Sequence, residues 1–197
     1  MSNLTKRAMA QALTDLLAEN TLDRITIRDI TDACGLTRNT FYYHFHDIYE
    51  LLLWIFREET DRIMARYREN EDWQGGLQEV LTFLYERKPM ILHVYRSVSY
   101  DTLIRFVDEI VFQHAQAVLS LKADSLIGEG EKRSPEDEAA IALAADFYTN
   151  AMVGAVLAWI RADMPRKPSR MARLFNEIFE GTVEGALASS VKAAAWL

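Results

Sequence analysis

Residues 37–46 read TRNTFYYHFH, and nearly every side chain there carries a hydrogen-bonding group. Arg38 presents a planar fork of donors that matches the two acceptors on the major-groove edge of guanine, and Asn39 can pair in the same two-point way with adenine. Thr40 and Tyr43 add hydroxyls able to reach base edges. Each good two-point pair is worth about 1–3 kcal/mol of discrimination between bases. Thr26, Thr37, Tyr42 and His46 supply donors suited to phosphate oxygens, contacts that set register without carrying sequence information. His44 can serve in either role. The chemistry on offer is recognition of double-stranded DNA by non-covalent contacts.

Bond-making chemistry has no comparable set. His44 and His46 lie two positions apart and face different directions on a helix, while His93 and His114 are remote in sequence. There is no paired His/Cys metal spacing, no glycine-rich phosphate loop and no nucleophile elbow, so neither a cofactor nor a metal is expected. Two alternatives stand beside DNA recognition. One is a helical protein-interaction module or co-regulator, docking through the tyrosine-rich segment, without a small-molecule inducer of its own. The other is a small all-helical enzyme.

The groups at 37–46 must be held by short helices. Thr26 is a good N-cap, and Asp29, three positions on, completes a capping box. Ile27, Ile30 and Ala33 fall on one helical face. Gly35 stands where that helix must end, because it can take the left-handed backbone of a sharp turn. Leu36 fills the corner, Thr37 caps a second helix, and Phe41 and Phe45 repeat at helical spacing as its inner side. Tyr42, Tyr43 and His44 are consecutive, so at most one side of this helix is buried and some of these rings face outward. Residues 26–45 therefore read as a helix-turn-helix, with an ordinary helical hairpin as the blander reading.

The stretch from about Thr5 to Phe56 resembles the N-terminal domain of TetR/AcrR-family transcriptional regulators. The matching residues are Thr26 and Ile27, Ala33-Cys34-Gly35-Leu36-Thr37 at the turn, Thr40-Phe41-Tyr42-Tyr43-His44-Phe45, and then Asp47, Glu50 and Leu51. Within the family, FYYHFHDIYELLLWIF is similar to a subgroup related to regulators of dihydroxyacetone kinase operons. The resemblance implies a homodimer and an effector, a small molecule or a partner protein, bound by the C-terminal domain. Two positions depart from the pattern. Ile48 stands where the family usually has a phosphate-contacting lysine, and Thr31 where alanine is usual.

Residues 1–56 hold five basic side chains (Lys6, Arg7, Arg24, Arg28 and Arg38) against seven acidic ones, a net charge of −2. DNA-binding modules are normally basic. Non-specific affinity should be weak and the dependence on salt shallow. Half of the 197 residues are hydrophobic, enough for a small domain plus a larger one. Glycine and proline are scarce and no segment alternates with period two, so the fold class is all-α. The expected division is a three-helix helix-turn-helix domain over 1–56 and a C-terminal regulatory and dimerisation domain over 57–197, about nine helices in all. The single Cys34 excludes an internal disulfide and suits a cytoplasmic protein. No signal peptide opens the chain, because residues 2–19 form an amphipathic pattern with Met9, Leu13, Leu16 and Leu17 inward. The apolar stretch 139–162 is interrupted by Asp146, Thr149 and Asn150, so no membrane contact is expected.

Beyond Asp47, whose capping box with Glu50 opens a fourth helix to about Tyr67, the punctuation is clear. Trp73-Gln74-Gly75-Gly76 should break the helical pattern until Leu77, and Pro89 should end the helix that follows. A longer helix is expected over about Asp101 to Lys122, and residues 123–133 as a polar, mobile connection. Ser134-Pro135-Glu136-Asp137 starts a helix to about 162, and a last one covers about 169–192. These two helices carry Phe147, Met152, Trp159, Phe175, Ile178, Phe179, Gly181 and Gly185, more apolar surface than one small domain needs to bury, so they should form a four-helix dimer interface, with a monomer of thick core as the blander reading. In the middle helices Phe83, Tyr95, Arg96, Tyr100 and Phe106, with Tyr85, Met90, His93, Phe112 and His114, are candidates to line a ligand cavity, although aromatic residues at helical spacing serve equally as packed core.

Overall fold

The structure, a computed structural model, describes residues 2–68, 72–127 and 133–194. Among the described residues it is all-α. Helix α1 (Ser2–Glu19) leads through a 3-10 turn (Leu22–Arg24) to α2 (Ile27–Ala33) and α3 (Arg38–His44). Then follow α4 (Ile48–Arg68), α5 (Trp73–Glu86), α6 (Lys88–Ser97), α7 (Tyr100–Ile127), α8 (Pro135–Arg161) and α9 (Pro168–Ala194).

The N-terminal module forms for local reasons that can be read bond by bond. The Thr26 hydroxyl accepts the Asp29 N–H at 3.2 Å, and the Asp29 carboxylate accepts the Thr26 N–H at 2.8 Å. At the other end of α2 the Leu36 N–H reaches back to the Thr31 carbonyl at 2.9 Å and the Gly35 N–H to Asp32 at 3.4 Å. This is the paired arrangement that closes a helix with one left-handed residue, and Gly35 supplies it with φ +67°. Thr31 is buried, and its hydroxyl donates to the Arg28 carbonyl at 3.1 Å, so threonine fits where the family usually has alanine. Met9, Leu13 and Leu17 of α1 pack with Ile30, Phe41, Phe45, Leu51 and Leu52 into one core, and Phe41 is wholly enclosed. Leu16 is only partly buried.

Several boundaries differ from the sequence pattern. Trp73-Gln74-Gly75-Gly76 does not break a helix but opens α5, with the Asp72 carboxylate accepting the Gly75 N–H at 2.8 Å. The glycines are there because α4 and α5 touch: a Cβ on Gly76 would lie 2.8 Å from the Met64 sulfur. Pro89 sits in the first turn of α6, where its missing N–H costs nothing. Helix α7 continues through Ile127, so the first part of the expected 123–133 connection is helical, and 128–132 lie outside the described residues. At α4 the Asp47 carboxylate accepts the Glu50 N–H at 2.8 Å, but Glu50 returns to the N–H of His46 rather than that of Asp47.

Helix α8 packs between α7 and α9 through Ala140, Ala144 and Ala145, small residues that let the neighbouring helices come close. Its start carries the expected capping box of Ser134 and Asp137. By length and composition α8 could cross a membrane, and half of its most apolar window is buried inside the protein. Between α8 and α9, Asp163 (φ +66°) and Met164 (φ +48°) turn the chain without glycine. Lys88 holds the turn, its ammonium donating to the Asp163 carboxylate at 2.8 Å and to its carbonyl at 2.9 Å. The main core runs without interruption from α1 to α9, and α6 packs directly on α1.

Candidate nucleic-acid interface

Helix α3 is short, and its caps are as important as its body. The Thr37 hydroxyl accepts the Thr40 N–H at 3.2 Å and lies 2.9 Å from the Thr40 hydroxyl. At 100° per residue, Phe41 and Phe45 define the buried side, and the opposite side is that of Asn39 and Tyr43. Exposure follows this geometry: Tyr43 is 82% exposed and Tyr42 58%, while Phe41 is fully buried. Arg38, Asn39, Thr37 and His46 are exposed, and Thr40 and His44 lie half-buried on the flanks. The expected DNA-contacting residues of 37–46 thus share the outer surface of one helix and its caps. Thr26 is also exposed, but its hydroxyl is committed to Asp29.

The acids of the module lie outside α3. Helix α3 carries no acidic residue, and Arg38 opens it. The acids are spent elsewhere: Asp29 and Asp47 cap helices, Asp32 pairs with Arg28 at 3.3 Å, Asp15 accepts from Gln11, and Asp23 accepts from Ser97 on the side facing α6. Hydrogen bonds from the side chain and backbone of Thr26 hold the Asp29 carboxyl below its ordinary value. The Lys6 ammonium stands over the rings of Phe45 and Trp54, 5.3 and 5.9 Å from their centres, which places a cation beside the end of α3. Ile48 packs against the core and offers no charge. Cys34 lies beside the turn, its sulfur 3.1 Å from the Ile30 carbonyl, and burial pushes its thiol up. Tyr49, outside the expected set, is 42% exposed at the start of α4.

The residues expected at a dimer interface separate into two groups. Phe147 and Ile178 are 65% and 60% exposed, and with Gly181 and Gly185 they face outward from α8 and α9, joined by the exposed Leu143 and Leu174. A Cβ on Gly154, Gly181 or Gly185 would meet nothing within 4 Å among the described residues. Trp159 and Phe179 face inward instead. Trp159 donates to the Arg166 carbonyl at 3.0 Å and stacks on Tyr85, and Phe179 packs edge-on against Trp73 and Tyr148. Met152 and Phe175 are half-buried against the core. Both helices are apolar on two sides, and helical periodicity does not say which side stays within the chain.

The ligand candidates separate likewise. Tyr95 and Phe106, with His114, line a cavity of about 190 Å³ between α4, α5, α6, α7, α8 and α9. Phe83 does not reach it: its ring packs on Phe56, with the Arg87 guanidinium 4.3 Å above it. Arg96 and Tyr100 stand on the surface.

Comparison with known proteins agrees with this geometry. Residues 11–55 match the family model described as bacterial regulatory proteins, tetR family, and residues 71–181 match that of a transcriptional regulator C-terminal region. The HTH-type dhaKLM operon transcriptional activator DhaS of Lactococcus lactis subsp. lactis (strain IL1403) is 31% identical over 87 residues, 44% of this chain and 46% of that protein. The HTH-type transcriptional repressor KstR2 of Rhodococcus jostii (strain RHA1) is 33% identical over 75 residues, 36% of this chain and 37% of that protein. Each of these alignments spans less than half of the curated relative. Among solved structures, the dihydroxyacetone kinase operon activator DhaS superposes with a TM-score of 0.65 at 17% identity, covering 91% of this chain and 96% of that one. The fatty acid degradation regulator FadR from Bacillus halodurans gives 0.55 at 14%, covering 95% and 94%. Likeness at these identities concerns the fold.

Proposed function

The chain belongs to the TetR family of bacterial transcriptional regulators, and we propose that it acts as a homodimer reading a pseudo-palindromic operator through paired α3 helices. Residues 1–56 form the reading head and 57–197 the regulatory and dimerisation unit. The observation that carries the reading is the division of α3: Phe41 and Phe45 anchor one side in the core, and Asn39, Tyr42 and Tyr43 stand free on the other beside Arg38. Arg38, Asn39, Thr40 and Tyr43 read bases; Thr37, Tyr42 and His46 hold phosphates; His44 serves in either role, and Thr26, whose hydroxyl and N–H both go to Asp29, caps α2 instead.

The second copy docks on the face of α8 and α9 that carries Phe147, Ile178, Gly181 and Gly185. That face supports the reading because it combines exposed apolar side chains with glycines around which this chain leaves open space. Two α3 helices then meet successive major grooves about 34 Å apart. Its target being duplex DNA, the protein works in the cytoplasm.

Control comes from an effector in the cavity beneath α4. Leu52, Phe56, Thr60 and Met64 of α4 line that cavity, and Leu51 and Leu52 also belong to the core that seats α3. A molecule that favours one tilt of α4 changes the distance between the two heads, and so alters DNA affinity by its differential affinity for the two states. Of the relatives above, one is named an activator and another a repressor; operator position decides the direction for this chain.

The test is a gel shift with DNA flanking the gene. The wild-type protein should give a discrete complex that disappears with Arg38→Ala and with Tyr43→Ala, both at exposed positions. Complexes that persist unchanged in both variants refute the assignment of α3.

A further inference from the structure

We infer that the effector is an uncharged, mostly hydrocarbon molecule whose single hydrogen-bonding group lies at the His114 end of the cavity. This inference rests on the proposed regulatory role of the C-terminal domain and adds the chemical class of its ligand. Among the described residues, the side chains lining the 190 Å³ cavity include no lysine, arginine, aspartate or glutamate. Of its polar side chains, Tyr148 is already engaged, its hydroxyl 2.7 Å from that of Thr182. A charged group moved into such surroundings would lose its hydration with nothing to replace it.

At one end the cavity meets a groove of about 410 Å³, and Met64, Trp73, His114 and Val118 line both. The groove contains charges, but they are matched to one another. Lys122 pairs with Glu180 at 2.9 Å, and the Asp72 carboxylate caps α5 at 2.8 Å. Asp61 lies 3.4 Å from Nε2 of His114. An anionic head group at this junction would face Asp72 while competing with Glu180 for Lys122. A cationic one would have to draw a carboxylate away from its present partner. An alcohol, ketone or amide meets neither penalty, and besides Tyr148 the polar side chains of the cavity lining are Thr60, Trp73, Tyr95 and, at the junction, His114.

Size narrows the class further. A dry cavity of about 150 Å³ holds benzene, so this one takes an apolar body of roughly that size or slightly larger, with room for the head toward the groove. Ligand and control are linked through α4, which supplies wall residues at both ends, Leu52 and Met64.

The experiment is calorimetric titration of the full-length chain with three eight-carbon probes at pH 7.5: 1-octanol, octanoate and octylammonium. Octanol should bind at least tenfold more tightly than either ion, and Ala115→Phe, which fills the cavity from α7, should abolish its binding. Should that variant lose its helical far-UV signal, Val111→Phe serves the same purpose. Octanoate or octylammonium binding within threefold of octanol, no binding of octanol, or octanol binding undiminished in the cavity-filled protein each overturns the inference. The titration contains no DNA, so these failures are separate from a failed gel shift, which would overturn the DNA-binding reading instead.

Discussion

Replacing Gly35 by alanine isolates one term in the stability of the reading head. The residue sits at φ +67°, and a Cβ built there meets nothing within 4 Å, so no collision contributes. What is left is the left-handed backbone itself, which costs an L-residue about 1–2 kcal/mol. Alanine also restricts the unfolded chain, returning about 0.4–1 kcal/mol. The net loss is about 1 kcal/mol, and for a chain of this length that lowers Tm by roughly 2–4 °C. Asparagine tolerates the left-handed region better and should lose less than alanine; valine, stiff at χ1, should lose more. The assay is thermal unfolding followed by circular dichroism at one fixed protein concentration, since the proposed dimerisation would make Tm depend on concentration. Hydrogen exchange at the Leu36 and Gly35 amides, which bond back to Thr31 and Asp32, should speed up in the same order. An alanine variant as stable as wild type, or an asparagine variant less stable than the alanine one, would refute the claim that backbone conformation decides this position.

Further outcomes follow from other bonds. Thr26→Ala should lower Tm at pH 7, and the gap to wild type should narrow as pH falls below 3.8, the ordinary value of Asp29. The folded-state value of that carboxyl is depressed, so its contribution is present above the ordinary value and lost as pH drops through the depressed one; a gap independent of pH down to 2 would contradict this. Phe147→Glu or Ile178→Asp should yield a folded monomer by sedimentation, because both side chains are exposed in the single chain; an intact dimer in both would displace the interface from α8 and α9. Ser97 joins α6 to the start of the reading head, its hydroxyl accepting the Leu22 N–H at 3.0 Å and meeting Asp23 at 3.1 Å. Ser97→Ala should cost about 0.5–1.5 kcal/mol in urea unfolding, and no measurable change would mean that water replaces the hydroxyl. With no lysine at position 48, the slope of log affinity against log salt should be no steeper than about −4; a slope near −8 would require phosphate contacts beyond those assigned.

Much of the reading head was legible in the chain because its information is local. Thr26 and Asp29, Gly35, Thr37, Phe41 and Phe45 act within a few residues of one another, and each adopts the conformation its type prefers. The start of α8 at Ser134 was legible for the same reason. The failures cluster where helices meet. Gly75 and Gly76 looked like a break because glycine disfavours helix, yet they mark where α5 passes against Met64 and Tyr67 of α4. Trp159 and Phe179 looked like interface residues because both helices are apolar on two sides, and only the packing of α5 and α8 around them shows that they face inward.

By itself the sequence determined that helices form, where most of them start and stop, and that the segment after Gly35 must show hydrogen-bonding groups to the outside, since consecutive residues on a helix cannot all be buried. Tertiary structure alone decided which apolar side of α8 and α9 is left open, and which aromatic residues surround a cavity and which fill the core. The reason is range. Caps and turns are settled by bonds spanning three to five residues, whereas burial depends on surfaces brought together from helices far apart in the chain.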